Sequence, residues 1–211
     1  NPMLLNCHTY YSFCYGTFAP EELVEEVRRN GYTAFVLSDI NNTSACLDTI
    51  RRCAETDIKV IAGIDFRNGV QAQYIGIARN NEGFRELNEH LTAHLHSGEV
   101  FHSLAPAFNH AYVIYPLHIY KGWTLKDNEF IGVQVHELGS LQFSPAYHMQ
   151  QKMVVLHTVS FADKARFNAH RLLRAIDTNN LLSKLPPGEQ AQGHEMMLPR
   201  DVLYAHYSAY P

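Results

Sequence analysis

The 211-residue sequence lacks most of the features that would announce a function. No apolar run approaches the ~20 residues a membrane helix needs, so no membrane partner is expected. There is no Cys-x-x-Cys: Cys7, Cys14, Cys46 and Cys53 form two widely spaced pairs, which excludes zinc-ribbon and thioredoxin readings and leaves buried, reduced thiols. No Gly-x-Ser-x-Gly elbow surrounds Ser12, Ser38 or Ser160, and no Walker or dinucleotide glycine motif occurs. Nothing here supports a nucleophilic hydrolase or a nucleotide-binding fold. Positive charge is scarce too: 17 Lys+Arg against 21 Asp+Glu give a net charge of −4, with no footprint for duplex DNA or an anionic membrane. With no secretory pattern, the expected compartment is the cytoplasm. Asn1 and Pro2 read as a tag remnant, with a natural start at Met3.

What the sequence does have is an apolar fraction of 46%, ample for a folded core, and 13 histidines that ask for an explanation. Leu4 to Cys7 reads as a short strand, and Pro20 opens an acidic amphipathic helix over Glu21 to Asn30, closed by Gly31. Tyr32 to Ser38, Ile58 to Phe66 and Gln73 to Ala78 read as strands buried on both faces. Between them, Asn42 and Thr43 are expected to cap a helix to Glu55, and Asn80 one running to Leu95. Ala111 to Leu117, Phe130 to His136 and Lys152 to Thr158 read as further strands. Asp163 to Asp177 reads as a helix with Ala165, Ala169, Leu172, Leu173 and Ile176 as its apolar stripe. Pro186 to Gly193 is linker-like. Strand and helix alternate so often that a parallel sheet closed as a βα barrel is expected.

Barrel chemistry sits at the C-terminal ends of the strands. Those ends carry Asn6, His8, Asp39, Asp65, Tyr115, Thr158 and Ser160. Few of these can ligate a metal. The histidines His90, His94, His96 and His102 share helical spacing in part, but are expected on a solvated helix surface.

Several segments together carry a resemblance: LNCHTYYSFCYGT (Leu5 to Thr17), PEELVEEVRRNGYTAFVLSDINN (Pro20 to Asn42), IKVIAGIDF, YIGIARNNEGFRELNEHL, FNAHRLLRAIDT and HEMMLPRDVLYAHYSAYP. The chain resembles the amino-terminal PHP (polymerase and histidinol phosphatase) domain of the bacterial replicative DNA polymerase III α subunit. That resemblance implies a distorted seven-stranded, TIM-like βα barrel over residues 3–180. Residues 181–211 would then be a linker toward the polymerase core, cut short at Ala209-Tyr210-Pro211.

The family holds divalent metals at its strand ends, and here its ligand pattern is broken. The opening His-x-His falls on Asn6 and His8, and the next ligand on Tyr15. The Asp-His pair falls on Asp39 and Ile40, the following Glu on Asp65, and the late Asp-x-His on Thr158 and Ser160. Amides, hydroxyls and an isoleucine cannot offset the mutual repulsion of clustered cations. The resemblance therefore implies a remnant pocket of His8, Asp39 and Asp65, with no cofactor in this domain, no zinc or manganese in the pocket, and magnesium serving only the full-length polymerase. Expected partners are the rest of the polymerase chain and a proofreading exonuclease subunit, with DNA met through the full-length protein. The competing expectations are an active metal-dependent phosphoesterase or 3′-5′ exonuclease, and a non-enzymatic interaction module.

Overall fold

The computed structural model describes residues 3–210, so the reading of Asn1 and Pro2 as a tag lies outside the described residues. The chain forms a mixed α/β structure around a single curled eight-stranded sheet in the order β7-β6-β5-β4-β3-β2-β1-β8. The strands are β1 (Leu4–Cys7), β2 (Ala34–Leu37), β3 (Lys59–Asn68), β4 (Gln71–Ala78), β5 (Ala111–Pro116), β6 (Glu129–Val133), β7 (Met153–Val155) and β8 (Thr158–Val159). The helices are α1 (Pro20–Arg29), α2 (Cys46–Cys53), α3 (Asn81–Ser97), α4 (Lys164–Asp177) and α5 (Arg200–Tyr207). Among the described residues, no helix is long and apolar enough to cross a membrane.

The sheet's two ends, β7 and β8, are consecutive in sequence and separated only by Leu156 and His157. What reads in sequence as one strand, Lys152 to Thr158, is thus two halves that change partner: β7 pairs with β6, while β8 pairs with β1. This seam brings the curled sheet back on itself. Inside it, Val36, Ile75, Ile77, Ile114 and Leu156 meet from strands that are mostly not neighbours. A flat sheet could not bring them together.

Not every strand is parallel. β4 runs antiparallel to both β3 and β5. Asn68 pairs with Gln71 across a two-residue turn, and Gly69 there takes φ +60°, a conformation glycine adopts without steric cost. The expectation of a wholly parallel sheet fails here because Gly69 makes a hairpin where a crossover helix would be needed.

Local chemistry sets the helices. In α1, Glu22 accepts from the backbone N–H of Ala19 at 3.2 Å, and Leu23, Val24 and Val27 face the core. α2 starts later than expected, at Cys46, because the Asn42 side chain accepts from Ser44 N–H at 2.8 Å and holds a turn instead of capping a helix. For α3 the Asn80 cap accepts from Gly83 N–H at 3.0 Å, and Gly98 closes the helix with φ +71°. β6 stops at Val133, and Val135–Phe143 coil into a 3-10 segment.

α4 is turned opposite to its apolar stripe. Its buried residues are His170, Arg174 and Ala175, while Ala165, Ala169, Leu172 and Ile176 face solvent. The polar face is inward because it clasps a strap, residues 186–197. Arg174 Nε donates to the Glu189 carbonyl at 2.7 Å, Arg171 Nε to Gln190 Oε1 at 3.0 Å, and His170 Nε2 accepts from Ala191 N–H at 2.7 Å. Residues past 181, linker-like in sequence, contribute Met197 and Leu203 to the core that packs against α1 and α2.

Candidate functional site

β1, β2, β3 and β8 point their C-terminal ends at one mouth. Asn6 and His8 come from β1 and the loop after it. Asp39 follows β2, Asp65 lies on β3, and Thr158 and Ser160 lie on β8 and just past it. Register brings them level: Asn6 pairs with Thr158, and Asp65 lies in a bridge with Ile40.

Asp65 is the centre of the cluster. Its Oδ2 accepts from Asn6 Nδ2 at 3.1 Å, His8 Nε2 at 3.0 Å, Arg67 Nε at 3.0 Å and Arg67 Nη2 at 2.8 Å. Its Oδ1 is buried without a partner. Burial alone would push the Asp65 carboxyl up. The adjoining Arg67 guanidinium and the His8 bond outweigh that and hold it well below the usual carboxylate range.

The amide of Asn6 is oriented by its neighbours. Ser38 Oγ donates to Asn6 Oδ1 at 2.8 Å, leaving the NH₂ to reach Asp65 and Thr158 Oγ1, each at 3.1 Å. His8, fully buried, lies between Asp65 and Ser160, whose Oγ is 2.9 Å from Nδ1. Ser160 donates its hydroxyl hydrogen to Glu195 Oε2 at 2.7 Å. Both His8 nitrogens thus face side-chain oxygens, Ser160 Oγ at Nδ1 and Asp65 Oδ2 at Nε2. The row Ser160, His8, Asp65 imitates a hydrolase triad. However, Ser160 is fully buried, its hydrogen is committed to Glu195, and it meets His8 at Nδ1.

Tyr15 closes one side. Its hydroxyl donates toward both Glu195 oxygens at 3.3 Å, and its ring lies under the Arg67 guanidinium, 4.9 Å from the centroid. Burial, then the nearby Glu195 carboxylate, push the Tyr15 hydroxyl up. Ile40 contributes no polar group and packs near Tyr15, Phe161 and Ala191.

Asp39 does not join this cluster. Its carboxylate turns to the β1–α1 loop, where it accepts from Thr9 N–H at 2.6 Å, Thr9 Oγ1 at 2.7 Å and Ser12 Oγ at 2.7 Å. Of the three remnant residues, the structure brings together His8 and Asp65 and leaves Asp39 as a loop anchor.

Arg67 and Glu195 are the two site residues that sequence reasoning missed. Arg67 is two residues beyond Asp65 on β3, so both point to the same face, a signal open to anyone who carries the strand pattern past Phe66. Glu195 comes from the strap and has no local signature. Together with Asn6, Thr158 and strap residues these groups line a mouth pocket of about 600 Å³. On its rim, the rings of His136 and His194 lie 4.3 Å apart, and His194 Nε2 faces Gln134 Oε1 at 3.2 Å. A separate apolar groove of about 360 Å³ runs between β7 and α5, away from these groups.

The expected solvated helix histidines divide. His96 and His102 are exposed, but His90 and His94 turn inward: His94 stacks on Phe101 at 4.4 Å and His90 Nε2 meets Tyr74 OH at 2.7 Å. Burial, then the neighbouring His94, take His90 down to about 4. These rings serve an aromatic core.

Residues 5–181 match the PHP domain profile. The chain belongs to the PHP family. Similar proteins include the error-prone DNA polymerases of Mycobacterium bovis and Mycobacterium tuberculosis, each 34% identical over 106 residues, covering 45% of this chain and 10% of theirs. The Mycolicibacterium paratuberculosis enzyme of the same name is 31% identical over the same length. The matched region thus spans about a tenth of those relatives. Among solved structures, a Bifidobacterium adolescentis protein named as a metal-dependent phosphoesterase covers 98% of this chain and 95% of its own at 12% identity, with a TM-score of 0.37. A metal-free amidohydrolase from Chromobacterium violaceum covers 45% and 32%, at 17% identity and a TM-score of 0.35.

PHP domains imply metals, and the donor set here can be tested against one. The orphaned Asp65 Oδ1 would suit a cation. Its surroundings would not, because Asn6, His8 and Arg67 all present hydrogens to this carboxylate where an ion needs lone pairs. Among the described residues, no group of three or more His, Cys, Asp or Glu side chains is arranged to hold an ion. The residues present do not fit a metal cluster.

Proposed function

We propose that this chain is the amino-terminal PHP domain of a C-family, DNA polymerase III α-like polymerase, with a degenerate mouth and a scaffolding role. In this reading residues 3–180 form the PHP unit and residues 181–211 lead toward the polymerase core. DNA synthesis, with its magnesium, belongs to the full-length chain, and the compartment is the cytoplasm where such a polymerase works. The PHP match and the polymerase relatives support the assignment. The observation that carries the degenerate site is the crowding of four hydrogen donors onto Asp65 Oδ2.

A docking role, toward the rest of the polymerase or a proofreading exonuclease subunit, is supported by α4. Ala165, Ala169, Leu172 and Ile176 follow a four-three-four spacing on its exposed face, the seam one helix offers another. The purified chain, assayed with manganese or zinc on a generic phosphate ester and on 3′-ended DNA, is expected to hydrolyse neither. Metal-dependent hydrolysis that disappears in Asp65→Asn would replace this reading with that of an active phosphoesterase or exonuclease.

A further inference from the structure

We propose that the Arg67 guanidinium is the resident cation of this barrel mouth, taking the electrostatic place of a metal ion and barring one from Asp65. The inference rests on the degenerate-site reading above and goes beyond it, because loss of ligands explains why an ion would bind poorly but not what neutralises the carboxylate left behind. A buried, ionised Asp65 needs a cation at contact distance. Arg67 supplies it through two N–H groups on one oxygen, at 3.0 and 2.8 Å, with both residues almost fully buried.

Two further contacts hold the guanidinium, and a third fixes the backbone that carries it. The guanidinium Cζ lies over the Tyr15 ring, 4.9 Å from its centroid, Nη1 approaches the Val70 carbonyl at 3.5 Å, and the Arg67 backbone N–H donates to Asn41 Oδ1 at 3.0 Å. Tyr15 stands where the family places a ligand, so one replacement has become the platform for the other. A lysine could not reproduce the planar fork or the stacking. Unlike an ion, this cation is covalently part of β3 and cannot dissociate.

Four forms of the chain test this: wild type, Asn6→His, Arg67→Gln, and Asn6→His with Arg67→Gln. Each is dialysed against zinc and then buffer, its zinc content measured, and its melting followed with zinc and with chelator. Asn6→His supplies an added imidazole beside Asp65. Alone it is expected to retain no zinc, because Arg67 still occupies the carboxylate. The double variant is expected to retain about one zinc per chain and to melt about 5 °C or more higher with zinc than with chelator. Arg67→Gln alone is expected to melt below wild type.

Equal zinc uptake by Asn6→His and the double variant, or none by a folded double variant, overturns the exclusion by Arg67. Stoichiometric zinc in wild type, or a wild-type Tm lowered by chelator, instead overturns the degenerate-site reading beneath it. Should Arg67→Gln prevent folding, the double variant is refolded with zinc: rescue supports the proposal and no rescue overturns it.

Discussion

The backbone N–H of Ala191 donates to Nε2 of His170 at 2.7 Å, so this buried ring must be the tautomer with its hydrogen on Nδ1, where it donates to the Tyr15 carbonyl at 2.7 Å. One neutral histidine thereby joins the β1–α1 loop, α4 and the strap. Protonating Nε2 would set an N–H against the N–H of Ala191. Burial is the main cause lowering the His170 pKa; nearby Arg174 and His8 act with it, and Glu195 and the Tyr15 bond oppose it.

A folded-state pKa below the unfolded value means that the unfolded chain binds the proton first. The stability is therefore fully present above about pH 6.5 and is lost as pH falls below it. His90, His157 and His194 are shifted in the same direction. Chemical denaturation at a series of pH values is expected to show falling stability from pH 7 to pH 5. His170 contributes at most about 1.4 kcal/mol per pH unit, and His170→Gln is expected to flatten the slope. An unchanged slope would remove His170 from the acid response.

Asp65→Asn should be among the most damaging single changes, because it strands the buried Arg67 charge at a cost of about 3–5 kcal/mol. Removing both charges with Asp65→Leu and Arg67→Met should recover most of that loss. Equilibrium unfolding in urea reads both, and a double variant no better than the single would mean that shape, not charge, holds the mouth together.

The reversed orientation of α4 makes an unusual contrast. Leu172→Lys and Ile176→Lys, although they remove large apolar side chains, are expected to change the stability of the isolated chain by no more than about 0.5 kcal/mol. Arg174→Ala, a change on the polar face, is expected to cost more because it unfastens the Glu189 carbonyl. The reverse ranking would place the apolar stripe in the core after all.

At the seam, Leu156 is the interior side chain between β7 and β8. Leu156→Ala is expected to cost about 2–5 kcal/mol, measured as a shift in the urea midpoint without a change in slope.

Much of this architecture was legible from sequence, and the exceptions share a cause. β1, β2 and β3 announce themselves because strands covered on both faces are continuously apolar. The direction of β4 was open to reading in Gly69, which opens the two-residue turn between Asn68 and Gln71 and outranks the α/β rhythm around it. α4 misleads because periodicity finds a stripe without saying which side the protein lies on; His170 and Arg174 decide that through bonds to residues 189–191, which no local window contains. At the mouth, motif positions lead to His8 and Asp65. They could not separate Asp39, whose carboxylate is claimed by Thr9 and Ser12, nor lead to Glu195, brought in from the far end of the chain.

The strap also governs the order in which the molecule can be completed. As the chain leaves the ribosome, His8 emerges early, but its partner Ser160 and then Glu195 follow only after most of the remaining sequence has been made. β1 likewise lacks one of its two neighbours until β8 arrives. The Asn6, His8 and Arg67 bonds to Asp65 need only the first third of the sequence, but the mouth is not complete until the strap has been made. The Asn6–Thr158 and His8–Ser160 bonds join residues about 150 positions apart, and such long-range closure favours slow folding.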